Sequence, residues 1–193
     1  MPPLIEPVGL RLVLGGNVFG WTADLDTSFA ILDAFYEPGG RMIDTAEGYS
    51  AFVPGLVGGE SETVLGQWMA ARCNRAEMHI ATKTGMYGKP GDLAPAKLAA
   101  AVEGSLKRLQ TDYIDLYYAH RDETATDQAE AAGPRKFASR VTCLVVGLEP
   151  GPREGLHAGR HHGAAQTAQT IFVHPEFARH QAGHFIGQLG MAR

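Results

Sequence analysis

Three residues of very different chemistry each follow the end of a short apolar run. Met42-Ile43 leads into Asp44, the run from Met78 to Thr82 leads into Lys83, and His120 follows shortly after the run from Tyr113 to Tyr118. A carboxylate, an ammonium and an imidazole at the ends of separate runs are a set for moving a proton and steadying charge. Tyr49, a little beyond Asp44, adds a phenol. A tyrosine hydroxyl can deliver a proton, but its ordinary pKa is about 10. A lysine ammonium a few ångströms away favours the phenolate, and a drop of roughly 2–3 units corresponds to about 3–4 kcal/mol. In this reading Lys83 lowers the Tyr49 pKa, Asp44 keeps Lys83 charged and pointed, and His120 donates a hydrogen bond to a substrate oxygen.

Each residue also has a structural reading. Asp44 suits a turn at a strand end. Tyr49 suits a loop aromatic packed on a rim. Lys83 suits a surface lysine whose stem lies along apolar neighbours. His120 suits a hydrogen-bonded core histidine. Four such roles falling together on successive strand ends is the less economical account.

The elements that must position them follow from periodicity. Leu10 to Leu14 is an apolar run closed by Gly15-Gly16. Leu25, Phe29, Leu32 and Tyr36 recur at helical spacing, and Pro38-Gly39-Gly40 ends that helix. Glu60 and Glu62 suit a helix start, after which Leu65, Trp68 and Met69 share a face. Pro95 suits the first turn of a helix whose stripe is Leu98, Val102, Leu106 and Leu109. The order is strand, helix, strand, helix, strand, helix, strand, which predicts an α/β protein with a parallel sheet.

A doubly wound sheet and a (β/α)8 barrel both begin this way. The turn after the first strand reads GGNVFG over residues 15–20, which is not the G-x-G-x-x-G of a dinucleotide-binding doubly wound fold. Polar residues at the C-terminal ends of successive strands are the barrel's arrangement. The expectation is therefore a partial (β/α)8 TIM barrel, its first four strands, followed by an irregular C-terminal segment.

Composition marks where that pattern stops. Residues 1–134 carry a net charge of −8 and residues 135–193 a net of +4. All six tyrosines and both tryptophans precede residue 119, whereas six of the eight histidines follow residue 134, a break that separates two segments of different constraint. The overall charge of −4 is too small and too mixed to argue for nucleic acid or membrane. The start lacks the pattern of a signal peptide, no apolar stretch reaches transmembrane length, and two cysteines make no disulfide framework. These point to a cytoplasmic protein.

LRLVLGGNVFGW, RMIDTAEGYS, GGESETVLGQW, HIATKTG and SLKRLQTDYIDLYYAHRDE, in that order, resemble the first half of an aldo-keto reductase. The resemblance covers residues ~10–123, read as a domain at 1–123, with a divergent tail at 124–193. It implies a barrel that uses NADPH to reduce aldehydes and ketones. It maps the family's catalytic tetrad onto Asp44, Tyr49, Lys83 and His120. It places Gly16, Asn17 and Asp44 near the cofactor, and puts the loop GGNVFGW beside the nicotinamide and substrate. The partner implied is a small-molecule carbonyl compound.

Beyond His120 the family pattern is lost. Gly133-Pro134 cuts short the helix expected from TATDQAEAA, VTCLVVGL over 141–148 reads as a strand, and no Ser-Asn pair follows it. The tail offers no later tyrosine to stack on a nicotinamide and no evident basic motif for a 2′-phosphate. A frameshifted or disordered tail accounts for the break. His157, His161 and His162 lack a carboxylate or cysteine cluster, so no metal site is expected. Gly58-Gly59 reads as a loop or helix approach rather than a phosphate site. Two functions stand: an aldo-keto reductase-type oxidoreductase impaired in this chain, or an inactive barrel fragment that self-associates through open sheet edges at strands one and four.

Overall fold

In the computed structural model, the described residues are 12–86, 89, 91–121, 126, 141–145 and 171–173. They form β1 (Val13–Gly15), α1 (Leu25–Tyr36), β2 (Met42–Asp44), α2 (Glu60–Arg72), a 3-10 turn (Arg75–Glu77), β3 (His79–Thr84), α3 (Pro95–Leu109), β4 (Ile114–Ala119), β5 (Val141–Val145) and β6 (Ile171–Val173). The strands lie in one sheet in chain order, β1-β2-β3-β4-β5-β6. The order never reverses, which is the winding of a barrel; a doubly wound sheet turns back at a switch point.

Helix ends follow local chemistry. The Asp24 side chain accepts the Thr27 N–H at 2.9 Å and caps α1. Pro95 stands in the first turn of α3. Gly59 takes φ 85° at the N-terminus of α2, a conformation that favours glycine, so the Gly58-Gly59 pair is a helix approach. Glu60 accepts the N–H groups of Val57 and Gly58 and ties down that loop.

The expected stripes are buried on α2 (Leu65, Trp68, Met69) and α3 (Leu98, Val102, Leu106, Leu109). On α1, Leu32 is buried and Phe29 and Tyr36 pack partly against the core, but Leu25, the first residue of the helix, is exposed. Where α2 crosses α3 the backbones nearly touch: a Cβ on Gly66 would stand 2.2 Å from the Arg108 carbonyl oxygen.

Two acids do what periodicity does not announce. Asp115, inside β4, accepts the Ile80 N–H at 2.8 Å and the Arg75 guanidinium at 2.9 Å, locking β4 to β3 and to the 3-10 turn. Glu62 stands in the first turn of α2, as its type suits, and has a further role. It is fully buried, accepts the Thr82 hydroxyl at 2.6 Å and pairs with Arg108 at 2.6 Å, joining α2 to β3 and α3.

The strand read over 141–148 is present at Val141–Val145 and runs parallel to β4. The edge of β4, expected to be open, is therefore paired. β6 was not expected and pairs antiparallel with β5, a departure from the all-parallel order of a barrel. The remaining tail, with His157, His161, His162 and the helix expected from TATDQAEAA, lies outside the described residues apart from Thr126. Among the described residues no helix is long and apolar enough to cross a membrane.

Candidate active site

Parallel register decides which side chains share a face. Asp44 pairs with Ala81, and Lys83, two residues on, pairs with Tyr118. Because side chains alternate along a strand, Asp44, Lys83 and Tyr118 project to one face, and His120 continues that parity just beyond β4. Thr82 and Tyr117 point the other way. Thr82 reaches Glu62 on α2, and Tyr117 joins the core packed beneath the helices. The helix-covered face and the chemical face are thus separated by one residue of register.

At the C-terminal end of the sheet the four candidate residues come together. The Lys83 ammonium donates to Asp44 Oδ2 at 2.7 Å and to the Thr45 carbonyl at 2.7 Å. The Tyr49 hydroxyl donates to the same Asp44 Oδ2 at 3.3 Å. The Lys83 Nζ stands 4.5 Å from the Tyr49 ring centroid, and the His120 ring meets the Tyr49 ring edge to face at 5.7 Å. Tyr49 is carried in the turn after β2, where Tyr49 N–H donates to the Ala46 carbonyl. His120 is held by its N–H on the Thr84 carbonyl at 2.7 Å. Its Nδ1 is buried and makes no hydrogen bond.

The electrostatics differ from the expectation in one respect. Tyr49 is held well above the ordinary phenol value, first by burial, then by the Asp44 charge and the hydrogen bond to it. Lys83 directs its donors to Asp44 and Thr45, so the hydroxyl of Tyr49 meets a carboxylate instead of an ammonium. The predicted lowering is thus reversed in this arrangement. Burial pulls Lys83 below the ordinary amine value, and Asp44 opposes that pull. His120 is lowered by burial and by Lys83, which favours the neutral imidazole with one N–H to donate.

The three residues read as near a cofactor separate. Gly16 is buried, donating its N–H to the Asp44 carbonyl at 2.8 Å while its own carbonyl accepts Ser61 Oγ at 2.6 Å. Both backbone groups are committed, and the glycine serves the close approach of β1, β2 and α2. Asn17, next to it, is exposed. Asp44 has both carboxylate oxygens engaged. Beyond, Trp21 and Phe52 stack edge to face at 5.2 Å, 42% and 55% exposed.

Tyr118 is the residue that sequence reasoning missed. Its hydroxyl donates to Asp44 Oδ1, and its ring centroid lies 5.2 Å from Lys83 Nζ. Its signal was present: Tyr118 has the parity of His120 on β4. Among the described residues no group of three or more histidine, cysteine or carboxylate side chains is arranged to hold a metal ion.

A family model described as the aldo/keto reductase family matches residues 11–139. Norsolorinic acid reductase B of Aspergillus parasiticus is 42% identical over 118 residues, covering 56% of this chain and 29% of that protein. An aryl-alcohol dehydrogenase [NADP(+)] of Phanerodontia chrysosporium is 34% identical over 145 residues, covering 68% of this chain and 36% of that protein. A crystal structure of a thermostable aldo-keto reductase in complex with the inhibitor epalrestat is similar with a TM-score of 0.58 at 26% identity, over 71% of this chain and 48% of that one. The chain thus spans about a third of the length of these two relatives and about half of that structure.

Proposed function

The chain belongs to the aldo/keto reductase family, and from that premise we propose that it carries the proton-transfer groups for NADPH-dependent reduction of an aldehyde or ketone. The observation that supports this most is the convergence of Asp44, Tyr49, Lys83 and His120 at one end of the sheet. NADPH, when bound, supplies the hydride that a carbonyl carbon requires.

The residues present fit the oxygen side of such a reaction. Neutral His120, its ring beside that of Tyr49, keeps one ring N–H to donate to a carbonyl oxygen held between the two. Tyr49, kept protonated, is the acid that delivers its proton to that oxygen. The negative charge then left on Tyr49 is steadied by the Lys83 ammonium at its ring, which Asp44 holds in place. Asn17, exposed just beyond β1, is the residue of that turn to which we assign cofactor contact; Gly16 acts by letting the elements approach.

The substrate class we propose is an aromatic carbonyl. Two observations support it: the activities that the relatives' names carry, and the exposed Trp21–Phe52 pair in the loops after β1 and β2, which offers a flat apolar ligand an aromatic wall. The divergent sequence of 124–193 leads us to expect slow turnover.

The test is to titrate the purified chain with NADPH while following nicotinamide fluorescence, then to assay 4-nitrobenzaldehyde and butanal. NADPH consumption that favours the aromatic aldehyde and disappears in Tyr49→Phe supports the reading. Turnover that survives Tyr49→Phe removes Tyr49 from its role, and no consumption with either aldehyde removes the activity from this chain.

A further inference from the structure

Asp44 has two carboxylate oxygens and three donors. Oδ2 takes Lys83 and Tyr49, at 2.7 and 3.3 Å, and Oδ1 takes the hydroxyl of Tyr118. Tyr118 is the register partner of Lys83 on the adjacent strand, so their side chains leave the sheet side by side. The Lys83 ammonium consequently lies between two rings, 4.5 Å from the centroid of Tyr49 and 5.2 Å from that of Tyr118.

We propose that Tyr118 is a positioning residue, whose hydroxyl fixes the orientation of the Asp44 carboxylate and thereby holds the Lys83 ammonium at the Tyr49 ring. A carboxylate bound through one oxygen alone is free to rotate about its Cβ–Cγ bond, and rotation would take Oδ2 away from Lys83. A donor on Oδ1 removes that freedom. Tyr118 suits the task because burial and the neighbouring carboxylate keep its phenol protonated, and therefore a donor. The ring adds a cation–π face to the ammonium of a lysine that is only 5% exposed. The charged and titratable groups around Lys83 are Asp44 at the end of β2, Tyr49 in the following turn, Glu62 on α2, Tyr118 on β4 and His120 beyond it, with Arg121 acting on His120.

The catalytic consequence rests on the reductase reading; the network itself does not, and the decisive measurement is independent of turnover. The full chain, labelled with 13C at lysine Cε, is titrated by NMR, with the Lys83 resonance assigned by its loss in Lys83→Arg. Tyr118→Phe keeps the ring and removes the donor. It is expected to lower the Lys83 titration midpoint by about half a unit or more, because a freer Asp44 opposes desolvation less well. Asp44→Asn is expected to lower the midpoint further, and adding Tyr118→Phe to it should change nothing more. An unchanged midpoint in Tyr118→Phe overturns the proposal, as does full additivity of the two substitutions. Should Tyr118→Phe not fold, 13Cζ-tyrosine spectra of Tyr49→Phe with and without Asp44→Asn decide the matter. One tyrosine resonance must still move when Asp44 is changed, and none moving overturns the proposal. In the aldehyde assay Tyr118→Phe should lower kcat several-fold with KM unchanged. A wild-type chain without turnover would defeat the reductase reading and leave the NMR outcome to decide Tyr118.

Discussion

The Lys83 ammonium faces the ring of Tyr49, 4.5 Å from its centroid, while it donates hydrogen bonds to Asp44 and Thr45. The lysine therefore acts on the phenol through the ring face, and the hydroxyl is left to Asp44. This keeps Tyr49 protonated, the state needed by an acid, and places the positive charge where a phenolate would form.

Tyr49→Phe should lower kcat by about 10²–10⁴-fold, the usual contribution of a positioned acid. The lost hydrogen bond is long, at 3.3 Å, and the side chain is only half-buried, so the thermal midpoint should stay within a few degrees of wild type. Parallel melting curves and NADPH consumption check both halves. A variant that unfolds would show a structural role for Tyr49.

The pH dependence of stability follows from His120. Its folded-state pKa lies below the ordinary imidazole value of 6.5, so its contribution is complete above that value and is lost as pH falls through the lowered pKa. Glu47, pushed up by burial, has the opposite sign: its contribution is present below the ordinary value of 4.5 and is lost as pH rises through the raised pKa. Urea denaturation from pH 7.5 to 5.5 should show His120→Gln losing less stability on acidification than wild type. Equal losses in both would contradict this.

Asp115→Ala should cost about 3–5 kcal/mol, because it leaves the Arg75 guanidinium and the Ile80 N–H without their acceptor in a nearly closed site. Asp115→Asn keeps an oxygen for Ile80 and should cost less. Denaturant titration of the two variants gives the ranking, and an alanine variant as stable as the asparagine one would disprove the latch.

Gly66→Ala sets two effects against each other. Alanine gains about 1 kcal/mol of helix propensity over glycine. Its Cβ would stand 2.2 Å from the Arg108 carbonyl oxygen, a backbone atom that moves only if α2 and α3 part. Overpacking of this kind costs about 1–3 kcal/mol or more, so the variant should be net destabilised. A raised melting temperature would show that the helices separate easily.

Much of this protein was settled by neighbours in the chain. Leu98, Val102, Leu106 and Leu109 define α3, and Leu25 to Tyr36 gives both ends of α1, because helix periodicity and stop signals are local. Parallel order followed from the alternation of helices and strands, and the candidate quartet from polar residues at strand ends. Distant partners decided the rest. Glu62 reads only as a helix-start acid until Thr82 and Arg108 are brought to it. Tyr118 reads as one of two adjacent tyrosines until the β3–β4 register sets it beside Lys83 and within a hydrogen bond of Asp44. The direction of the Tyr49 shift turned on whether its hydroxyl met an ammonium or a carboxylate. Their Coulomb effects have opposite sign and fall off with distance, so a side-chain rotation of a few ångströms, invisible in the order of residues, determines the outcome.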